Sequence, residues 1–468
     1  MNTRKSHVLC TSVLLSVAAP LFAAADDQKL AAAILEQAKM NRGLCAVLGR
    51  DGEVAIELAK SSELLVHVRD PKTTNVVELR TAADAAGLDL QRFAAERGSL
   101  NKLPYADRTV DLVVLTNATA GLTEMLPARE LIRVLRPKGI AIVHSLKPDN
   151  DQPGPVSDWL KEAGGFRGWN NALGGWRMLR KPALKGADEW THWEKSPDNN
   201  PVSTDAHIKA PYMTQFMAEP YYIGMPSITT VAGGRTFLAM GHIAHHEREW
   251  DMLNRLVARN GYNGIILWER KLPDNYLVHR SAFVAGEDTF HMIDGDHVLM
   301  LDARTGKEKG EIRIPGVKGA WKWIAILDDV LYVLAGEAGP GAELVKGSRA
   351  FGGWSWGDLS KGYYGKFPHG YGDTLAAWHL ADQKVLWTHK EESLIDSRGL
   401  AIRDNRFYLY CPDKHLRALD LASGEPLWTN SEKETLGLIE QPGKGLTSTP
   451  GWRTQSLIVA TPKSLVLQ

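Results

Sequence analysis

The stretch at residues 418–428, A-L-D-L-A-S-G-E-P-L-W, decides the fold prediction for the larger part of this 468-residue chain. An alternating apolar segment leads into a turn at Gly424, and a second short apolar segment ends at Trp428. Two short strands joined by a turn that contains glycine are typical of a β-hairpin. The tryptophan that closes the hairpin offers a large flat surface for packing against a neighbouring unit.

Three earlier windows share this plan, and they begin at Ala258, Met300 and Ala377. Successive starts lie 42, 77 and 41 residues apart, and glycine stands at the turn position except in the third window, where Gln383 replaces it. Repeats of about 40 to 45 residues that cannot bury their own faces stack as the blades of a propeller. We predict blades at 228–273, 281–315, 323–390 and 399–431, and a fifth that begins near Leu446 and is incomplete at Gln468, so we expect the natural chain to continue.

The 77-residue interval contains an insert between Gly336 and Gly372, with 11 glycines and seven aromatic residues. Glycine allows unusual backbone conformations and aromatic faces provide contact area, a combination suited to gripping a flat or sugar-like ligand. A large loop that folds over its own blade is the alternative interpretation of this insert.

The N-terminus has the three parts of a secretory signal: Arg4 and Lys5, an apolar run over 8–22, and the small residues 23–25. We expect cleavage of residues 1–25 before Asp26 and export, with a periplasmic or secreted location. An uncleaved membrane anchor is the alternative, but it needs about 20 apolar residues, more than this run provides. No later stretch is long and apolar enough to span a bilayer, so no integral membrane segment is expected after removal of the signal.

The charges of the chain are balanced, with 55 basic and 55 acidic residues. Without a net charge there is no overall field to attract nucleic acid, and we expect no nucleic-acid partner. Cys10 leaves with the signal, while Cys45 and Cys411 lie far apart in apolar runs. No disulfide framework or cysteine-based metal motif is predicted, and both cysteines are expected to be buried free thiols.

Apolar strands and helices alternate in the first third of the chain. Helices are predicted at 27–41, 53–59, 75–86 and around 130–135, and strands at 44–48, 64–68, 110–116 and 140–143. Near-continuous apolar strands separated by helices are what a parallel sheet covered on both faces requires. We therefore predict a doubly wound α/β domain, Rossmann-like, at 26–185, followed by the all-β propeller at 186–468.

In doubly wound sheets, ligands bind beyond the carboxyl ends of the strands, at the point where the strand order reverses. The residues predicted at this edge are Gly49, Asp51 and Gly52 after the strand at 44–48, Asp70 at the end of the strand at 64–68, Ser99 after a further strand between 68 and 99, and Asn117 after the strand at 110–116. A glycine-rich turn admits close approach of a ligand to the backbone, and a carboxylate can accept both hydroxyl protons of a ribose. These six residues are the candidate cofactor-binding set.

Three motifs in this region resemble those of class I methyltransferases that depend on S-adenosylmethionine: V-L-G-R-D-G-E at 47–53, L-P-Y-A-D-R-T-V-D-L-V-V at 103–114 and E-L-I-R-V-L-R-P-K-G at 130–139. The resemblance covers about 27–180, where segments 165–173 and 175–179 look like the antiparallel hairpin that closes the family's sheet. It implies that Gly49 and Gly52 approach the methionine part of the cofactor, that Asp70 binds its ribose and that Ser99 lies near its adenine.

Two departures from the family's pattern indicate a degenerate cofactor site. The family's first motif is G-x-G-x-G, whereas Asp51 and Glu53 stand at its second and third glycine positions, unless the loop is one residue shorter. Ser99 replaces the usual acidic residue, so the adenine amino group loses an acceptor. We expect a fold that serves structure or another small ligand, with an active methyltransferase as the alternative.

The hexapeptide D-E-W-T-H-W at 188–193 opens the second region, which holds 12 of the 15 tryptophans. This entry, placed between a methyltransferase-like region and the repeats, resembles exported multidomain proteins of planctomycete-type bacteria that carry a propeller like that of pyrroloquinoline-quinone (PQQ) dehydrogenases. We interpret Trp190 and Trp193 as packing anchors. A dehydrogenase of the resembled kind would have an adjacent cysteine pair over the quinone, which this sequence lacks, and a calcium-binding set. PQQ and calcium are therefore not expected as cofactors.

A loop at 241–250 is rich in imidazole and carboxylate groups. Its candidate metal ligands are His242, His245, His246 and Glu247, because these side chains suit transition metals. A solvated polar loop is the alternative, since no helix or paired-cysteine motif fixes the geometry of these groups.

The sequence thus predicts an exported PQQ-like propeller protein with a degenerate methyltransferase-like domain, which binds a small-molecule ligand or a protein partner on the propeller face. The alternatives are an active S-adenosylmethionine-dependent methyltransferase and a quinone-dependent oxidoreductase that acts on alcohols or sugars. Whether the chain is an enzyme stays open, and no catalytic residue is assigned.

Overall fold

The structure, a computed structural model, divides into two compact units, Met1–Leu184 and Lys185–Gln468. It describes residues 18–49, 52–116, 118–145, 155–164, 167–171, 174–211, 214–218, 224–243, 246–273, 276, 278–337, 370–439 and 456–467. We call the two units unit 1 and unit 2 and consider each by itself.

Unit 1 alternates helices and strands as its sequence predicts. Its elements are α1 (Ala18–Ala38), β1 (Arg42–Leu48), α2 (Gly52–Ser61), β2 (Glu63–Asp70), α3 (Thr73–Ala85), β3 (Phe93–Arg97), β4 (Val110–Leu115), α4 (Ala120–Met125), α5 (Ala128–Val134), β5 (Leu135–Ser145), α6 (Pro155–Glu162), β6 (Arg167–Asn171) and β7 (Gly174–Arg180). Helix α1 begins before the predicted cleavage site. No helix among the described residues combines the length and the apolar character needed to cross a membrane.

The seven strands of unit 1 form one sheet in the order β3-β2-β1-β4-β5-β7-β6. The first five strands are parallel, and β7 runs antiparallel to both of its neighbours. Side chains of β4 alternate between two cores: Leu112 and Val114 pack with α1–α3, whereas Val113 and Leu115 pack with α4–α6. The predicted doubly wound domain and its closing hairpin are therefore confirmed.

Unit 2 consists of antiparallel sheets built from consecutive strands. Its strands are β8 (Met225–Ala232), β9 (Arg235–Ile243), β10 (Arg255–Asn260), β11 (Ile266–Lys271), β12 (Phe283–Ala285), β13 (Thr289–Asp294), β14 (His297–Asp302), β15 (Glu308–Ile312), β16 (Ala320–Leu327), β17 (Val330–Gly336), β18 (Tyr371–His379), β19 (Lys384–Asp396), β20 (Leu400–Arg403), β21 (Arg406–Cys411), β22 (His415–Asp420), β23 (Pro426–Asn430), β24 (Ile458–Ala460) and β25 (Leu465–Leu467), with helix α7 (Lys433–Ile439) after β23.

These strands form four four-stranded meanders, the first to fourth sheets, and a fifth sheet of two strands, β24 and β25. Strand β12 contacts both β8 and β16, and β20 contacts β24, so the leading strands of the sheets lie next to a common axis. The apolar cores lie between consecutive sheets, with one core shared by the first three and others between the third and fourth and the fourth and fifth. Radial packing of meanders confirms the propeller-type fold.

The four repeat windows form the hairpins between the third and fourth strands of their sheets. Each window begins with a β-bulge, at Ala258, Met300, Ala377 or Ala418. The turn position has a left-handed φ in every window: 77° at Gly264, 70° at Gly306, 52° at Gln383 and 73° at Gly424. The conformation explains the glycines in part, because L-residues adopt it reluctantly.

Packing between sheets gives the second reason for these glycines. A Cβ atom on Gly306 would lie 2.6 Å from the ring of Trp268, and one on Gly424 would lie 2.6 Å from the ring of Trp387. The indole nitrogens donate hydrogen bonds to the next sheet, Trp268 to the carbonyl of Ala303 (3.2 Å) and Trp387 to the carbonyl of Leu421 (2.9 Å). The prediction that the closing tryptophan packs against a neighbouring unit is thus confirmed for the first and third windows.

Candidate functional sites

The sheet of unit 1 has its switch point between β1 and β4, where a ligand crevice is expected. Gly49 ends β1 with a φ of 93° and donates its N–H to the carbonyl of Arg69 at 3.0 Å. Its missing side chain faces Leu122 at 3.5 Å, so Gly49 leaves room at the crevice. Asp51 and Asn117, which the sequence places at the same edge, lie outside the described residues.

Gly52 serves helix packing in this structure. It is the first residue of α2, and a Cβ atom there would lie 1.6 Å from Cδ2 of Leu79 on α3. The absence of a side chain therefore lets two helices approach each other. The contact with Leu79 is a sufficient reason for glycine at this position without a ligand.

Asp70 ends β2 as predicted, and its buried carboxylate is bonded to the start of α3. One oxygen accepts the backbone N–H of Lys72 at 2.6 Å, and the other accepts the side-chain amide of Asn75 at 2.9 Å. A ribose diol would have to share both oxygens with these two donors. Ser99, placed after β3, is exposed, and its hydroxyl accepts the N–H of Asn101 at 3.1 Å.

Arg69 fills space at the same edge. Its guanidinium lies against Gly98, where a Cβ atom would meet Nη2 at 1.7 Å, and it binds Glu96 at 3.2 Å. A cation therefore covers the turn after β3. No sequence pattern singled out this residue, because an arginine on a strand is ordinarily a solvated surface group.

The two longer methyltransferase-like motifs hold each other in place. Arg133, from the motif at 130–139, donates to the carbonyls of Leu103 (3.1 Å) and Tyr105 (2.8 Å) and to the carboxylate of Asp107 (2.7 Å). Glu130 accepts the N–H of Leu103 at 2.6 Å, and contact with Arg133 holds the pKa of this carboxyl below its usual range. These motif residues therefore stabilise the loop between β3 and β4.

The segment at residues 190–199, which we call the axial segment, runs along the inner edge of unit 2. It bonds in turn to a strand of each sheet: Trp190 pairs with Val231 of β8, and the carbonyl of Thr191 accepts the N–H of Ala285 of β12 at 2.9 Å. Further along the segment, the carbonyl of Pro197 accepts the N–H of Ile402 of β20 at 2.8 Å.

The remaining axial bonds reach the third and fifth sheets. Nε2 of His192 accepts the N–H of Ile326 of β16 at 3.2 Å, and Asp198 accepts the N–H of Ala460 of β24 at 2.9 Å. The side chain of Asn199 bridges the carbonyls of Leu400 (2.6 Å) and Ile458 (2.9 Å). All five sheets are thus fastened to one short peptide, which occupies the axis beside the ends of their leading strands.

The predicted role as a packing anchor is confirmed for Trp193 of this segment, whereas Trp190 is held by hydrogen bonds. The indole nitrogen of Trp190 donates to the carbonyl of Trp193 at 2.9 Å, and Trp193 packs against the core shared by the first three sheets. The sequence marked the entry motif but gave no periodicity that placed it at the axis.

His192 is neutral by virtue of its surroundings. Burial lowers its pKa from 6.5 to about 3, and the neighbouring His291 adds to the effect against an opposing contribution from Asp198. Its Nδ1 lies 2.8 Å from the hydroxyl of Thr191, which itself donates to the carbonyl of Lys195. This network places the proton on Nδ1 and leaves Nε2 as the acceptor for Ile326.

A small cavity lies above the axial segment. Its floor includes His192, Glu194 and Asn199, and its walls include Arg280 before β12 and Ser397 before β20. Its volume is about 30 Å³, whereas pockets for organic ligands measure about 300 Å³ or more. This cavity among the described residues therefore has room for ordered water or a small ion.

At one face of the sheets in unit 2 the second strands end and the third strands begin, for example at Gly336 and Tyr371 or at Cys411 and His415, and the leading strands begin there too. We call this face the loop face. The opposite face carries turns such as Gly233-Gly234 and Asp404-Asn405. The glycine- and aromatic-rich insert belongs to the 337–370 connection, and its residues 338–369 lie outside the described residues.

The predicted histidine-rich metal loop is also a loop-face connection. His242 lies within β9, His245 lies outside the described residues, and His246 and Glu247 are exposed at the start of a 3-10 turn. The backbone N–H of His246 donates to Oε2 of Glu249 at 3.3 Å. Metal binding by this loop stays a prediction.

A different cluster of metal-ligating groups lies between the third and fourth sheets. It comprises Glu391 of β19, Cys411 of β21 and His415 of β22, whose donor atoms all lie within 4.8 Å of one another. Burial raises the pKa of Glu391, but contacts with His389, His415 and Arg417 outweigh it and lower the value to about 2. Burial raises the pKa of the Cys411 thiol to about 12. Both Cys45 and Cys411 are buried free thiols, as predicted.

Comparison with known families is consistent with these two folds. Residues 48–143 match the family described as "Methyltransferase domain", and residues 366–462 match the family described as "Outer membrane protein assembly factor BamB". Each unit carries one family match. The predicted order, a methyltransferase-like region before PQQ-like repeats, is thereby confirmed. No curated protein matches the sequence.

Solved structures with related folds are distant in sequence. A SAM-dependent methyltransferase from Aquifex aeolicus is 19% identical, with coverage of 33% of this chain and 98% of the other and a TM-score of 0.27. BamB from Moraxella catarrhalis is 13% identical over 43% of this chain (TM-score 0.26), and a europium-containing methanol dehydrogenase is 13% identical over 43% (TM-score 0.29). The chain covers only 47% and 40% of the lengths of the last two proteins.

Proposed function

We propose that this chain is an exported binding protein. In this proposal, unit 2 captures a small-molecule ligand or a protein segment on its loop face, and unit 1 keeps the methyltransferase fold without methyl transfer. The observation that carries the proposal is that the residues expected to hold a cofactor in unit 1 are engaged within the fold.

Three of these residues support a degenerate site. Asp70 is bonded to the start of α3 through both oxygens, Gly52 is packed on Leu79, and Ser99 accepts a bond within its own turn. If S-adenosylmethionine were bound, Gly49 and Asp70 are the described residues that would hold it. The cofactor would supply an electrophilic methyl group, and no described residue is assigned to activate an acceptor.

The organisation of unit 2 supports a binding role. The axial segment takes up backbone hydrogen bonds from all five sheets and leaves a cavity of about 30 Å³ at the axis. The sequence from Gly336 to Gly372, which connects two strand ends at the loop face, holds seven aromatic residues and 11 glycines. We infer that ligand binding involves this insert. Aromatic faces on an adaptable backbone suit a sugar-like ligand or a peptide.

Calorimetric titration of the chain from Asp26 onward with S-adenosylmethionine, up to millimolar levels, tests the proposal that the cofactor site of unit 1 is degenerate. We expect no saturable heat. The matched variants are Gly49→Ala, at the crevice with a φ of 93°, and Gly87→Ala, with a φ of 73° and no atom within 4 Å of the added Cβ. Saturable binding that Gly49→Ala weakens and Gly87→Ala preserves would overturn the degenerate-site proposal.

An active methyltransferase is the second candidate, and a specific observation favours it. The full strand order with its antiparallel β7 is present, and Gly49 retains a left-handed φ after β1. Release of S-adenosylhomocysteine with small thiol, amine or hydroxyl acceptors would establish this activity. Dye reduction after addition of PQQ and calcium serves as the parallel test for oxidation, and we expect none.

Ligand capture by the loop face is tested with mono- and oligosaccharides, monitored by tryptophan fluorescence of the same chain. The matched variant is Trp354→Ala with Trp356→Ala, which removes two aromatic faces of the insert, and the control is Trp428→Ala on β23. A response that the double variant loses and the control retains supports a sugar-like ligand. A response equal in all three proteins contradicts it.

A further inference from the structure

The cluster at Glu391, Cys411 and His415 has the features of a metal centre. The function proposed above does not involve this cluster. It lies at the loop-face end of the interface between the third and fourth sheets. Cys411 and His415 pair directly across β21 and β22, so their side chains share one face of the fourth sheet. Glu391 reaches them from β19 of the third sheet.

Strand alternation explains how the cluster is assembled. On β19, Trp387, His389 and Glu391 are spaced two residues apart and point to the same side. The ring of Trp387 packs on Gly424 of the fourth sheet. His389 and Glu391, the next residues on this side of β19, bring an imidazole and a carboxylate to the same interface. The tryptophan that fastens the sheets therefore also positions the polar groups.

The carboxylate of Glu391 is oriented by two donors. Nε2 of His389 lies 2.8 Å from Oε1, and Nη1 of Arg417 donates to the same oxygen at 2.6 Å. Oε2 is left facing Nε2 of His415 at 3.2 Å. Groups that bond the outer oxygen of a ligating carboxylate fix its direction and tune its affinity for a metal.

His415 and Cys411 supply the other two donors. Nε2 of His415 is buried, and among the described residues it makes no hydrogen bond of acceptable geometry. The thiol of Cys411 is fully buried and makes only a long contact, 3.8 Å, to the carbonyl of Ser393. The nearest acceptor of this imidazole nitrogen, Oε2 of Glu391 at 3.2 Å, is poorly aligned with it, and a buried nitrogen without a well-formed hydrogen bond is costly unless something else satisfies it.

The geometry suits a divalent transition metal. Two ligands bound at about 2.1 Å in a tetrahedral arrangement lie roughly 3.4 Å apart, close to the 3.2 Å between His415 Nε2 and Glu391 Oε2. One nitrogen, one oxygen and one sulfur donor match the preferences of Zn²⁺, with a fourth position open to water or another ligand. The charge of Arg417 offsets part of the negative charge of carboxylate and thiolate.

We propose that Glu391, Cys411 and His415 form a three-ligand site for a transition metal such as Zn²⁺. Metal binding requires loss of the Cys411 proton to solvent, and the metal replaces this proton on the sulfur. His389 and Arg417 are positioning residues that act through Glu391. The site joins two sheets, so bound metal also stabilises their interface.

Titration of the metal-free chain from Asp26 onward with Zn²⁺ tests the site. We expect one equivalent bound, with affinity reduced at least about 100-fold in Cys411→Ser and in His415→Gln, and about 10- to 100-fold in Arg417→Gln. Cys45→Ser is the matched control, because Cys45 is an equally buried free thiol in unit 1. Absence of binding in the wild type, or equal losses in Cys45→Ser and Cys411→Ser, would overturn the proposal.

Co²⁺ provides a readout that survives a folding defect in a variant. We expect a thiolate-to-cobalt charge-transfer band in the wild type, in Cys45→Ser and in the His245→Gln/His246→Gln double variant, but none in Cys411→Ser. A wild-type spectrum without this band rejects the site even if Cys411→Ser does not fold. Cobalt binding in the wild type without this band, if the histidine double variant abolishes it, would assign the metal to the cysteine-free 241–250 loop instead.

Discussion

The interfaces between the sheets of unit 2 fall into two kinds. At the first-to-second and third-to-fourth interfaces a tryptophan lies on a glycine of the next sheet, as Trp268 does on Gly306 and Trp387 on Gly424. At the second-to-third interface both residues are missing, since Gly310 ends the second window and Gln383 occupies the turn of the third. Tryptophan and glycine are present together or absent together.

This difference shows that the turn glycine makes room for the aromatic ring of a neighbouring residue, in addition to allowing a left-handed backbone. Gln383 adopts the same left-handed turn with a φ of 52°, so the conformation alone does not demand glycine. The first window fits this interpretation, because Gly264 has the ring of Phe216 at 2.6 Å from its missing Cβ. An aromatic face lies on the turn wherever glycine is found.

The largest effect is expected from removing a tryptophan whose ring packs on a glycine of the next sheet, which we call a seated tryptophan. Trp387→Ala should destabilise unit 2 by about 3 to 5 kcal/mol, because it deletes a buried aromatic side chain and leaves a cavity. Trp428→Ala, at the same window position but 39% exposed, should cost about 1 kcal/mol or less. Urea unfolding followed by tryptophan fluorescence measures both, and equal costs would break the distinction between seated and unseated rings.

Substitution of a glycine that contacts such a tryptophan ring should have the next largest effect. Gly424→Ala adds a methyl group 2.6 Å from the Trp387 ring and should cost about 3 kcal/mol from overpacking and backbone strain together. Gly295→Ala, with a φ of 63° and no atom within 4 Å, carries the strain alone and should cost about 1 kcal/mol. If both variants unfold at the same urea concentration, packing plays no part.

The axial segment bonds to the sheets on both sides of the interface without a tryptophan, and acid should weaken one of these bonds, the bond to His192. The folded-state pKa of His192 lies below its unfolded value, so the unfolded chain binds the extra proton and stability falls as the pH drops from about 6.5 toward about 3. By pH 5 this loss amounts to about 2 kcal/mol. His192→Gln retains an acceptor for Ile326 and should show a shallower decline in urea midpoint between pH 7 and pH 5. His279 and His291, whose pKa values burial also lowers, act in the same direction in both proteins.

The smallest effect is expected at the turn without a tryptophan. Gln383→Gly relieves a left-handed conformation but adds freedom to the unfolded chain, so stability should change by less than about 1 kcal/mol. Thermal unfolding of this variant beside Gly424→Ala sharpens the comparison. A loss of several kcal/mol in Gln383→Gly would show that the glutamine side chain itself holds the second-to-third interface.

The architecture was predictable from sequence because period and composition encode it. The near-continuous apolar run at 110–116 predicted a strand buried on both faces, and the spacing of the windows predicted the hairpins with their turns. Bounds were less accurate: α1 ends at Ala38 rather than at residue 41, and β5 extends over Leu135–Ser145 rather than 140–143. Helix ends depend on capping and tertiary contacts that hydrophobic periodicity does not record.

The candidate sites were predicted less well, for a physical reason. The alternation Trp387-x-His389-x-Glu391 is visible in the sequence, but Cys411 and His415 join it only through packing between sheets. The axial role of His192 likewise depends on contacts with strands over a hundred residues away, such as Ile326. A motif defined by spacing along one strand cannot report partners that only the assembled fold brings near.

The axial segment also sets an order of events during synthesis. Asn199 bonds to Ile458, 259 residues later, and Glu194 bonds to Ser456, 262 residues later. At translation rates of about 5 to 20 residues per second, this peptide waits roughly 10 to 50 s on the ribosome for its last partners. During that time its backbone groups toward the fifth sheet remain hydrated, and the earlier sheets must assemble around an axis that is still incomplete. The bonds of the axial segment are therefore completed only after residues 456–460 have been made, although the peptide that joins the sheets is made first.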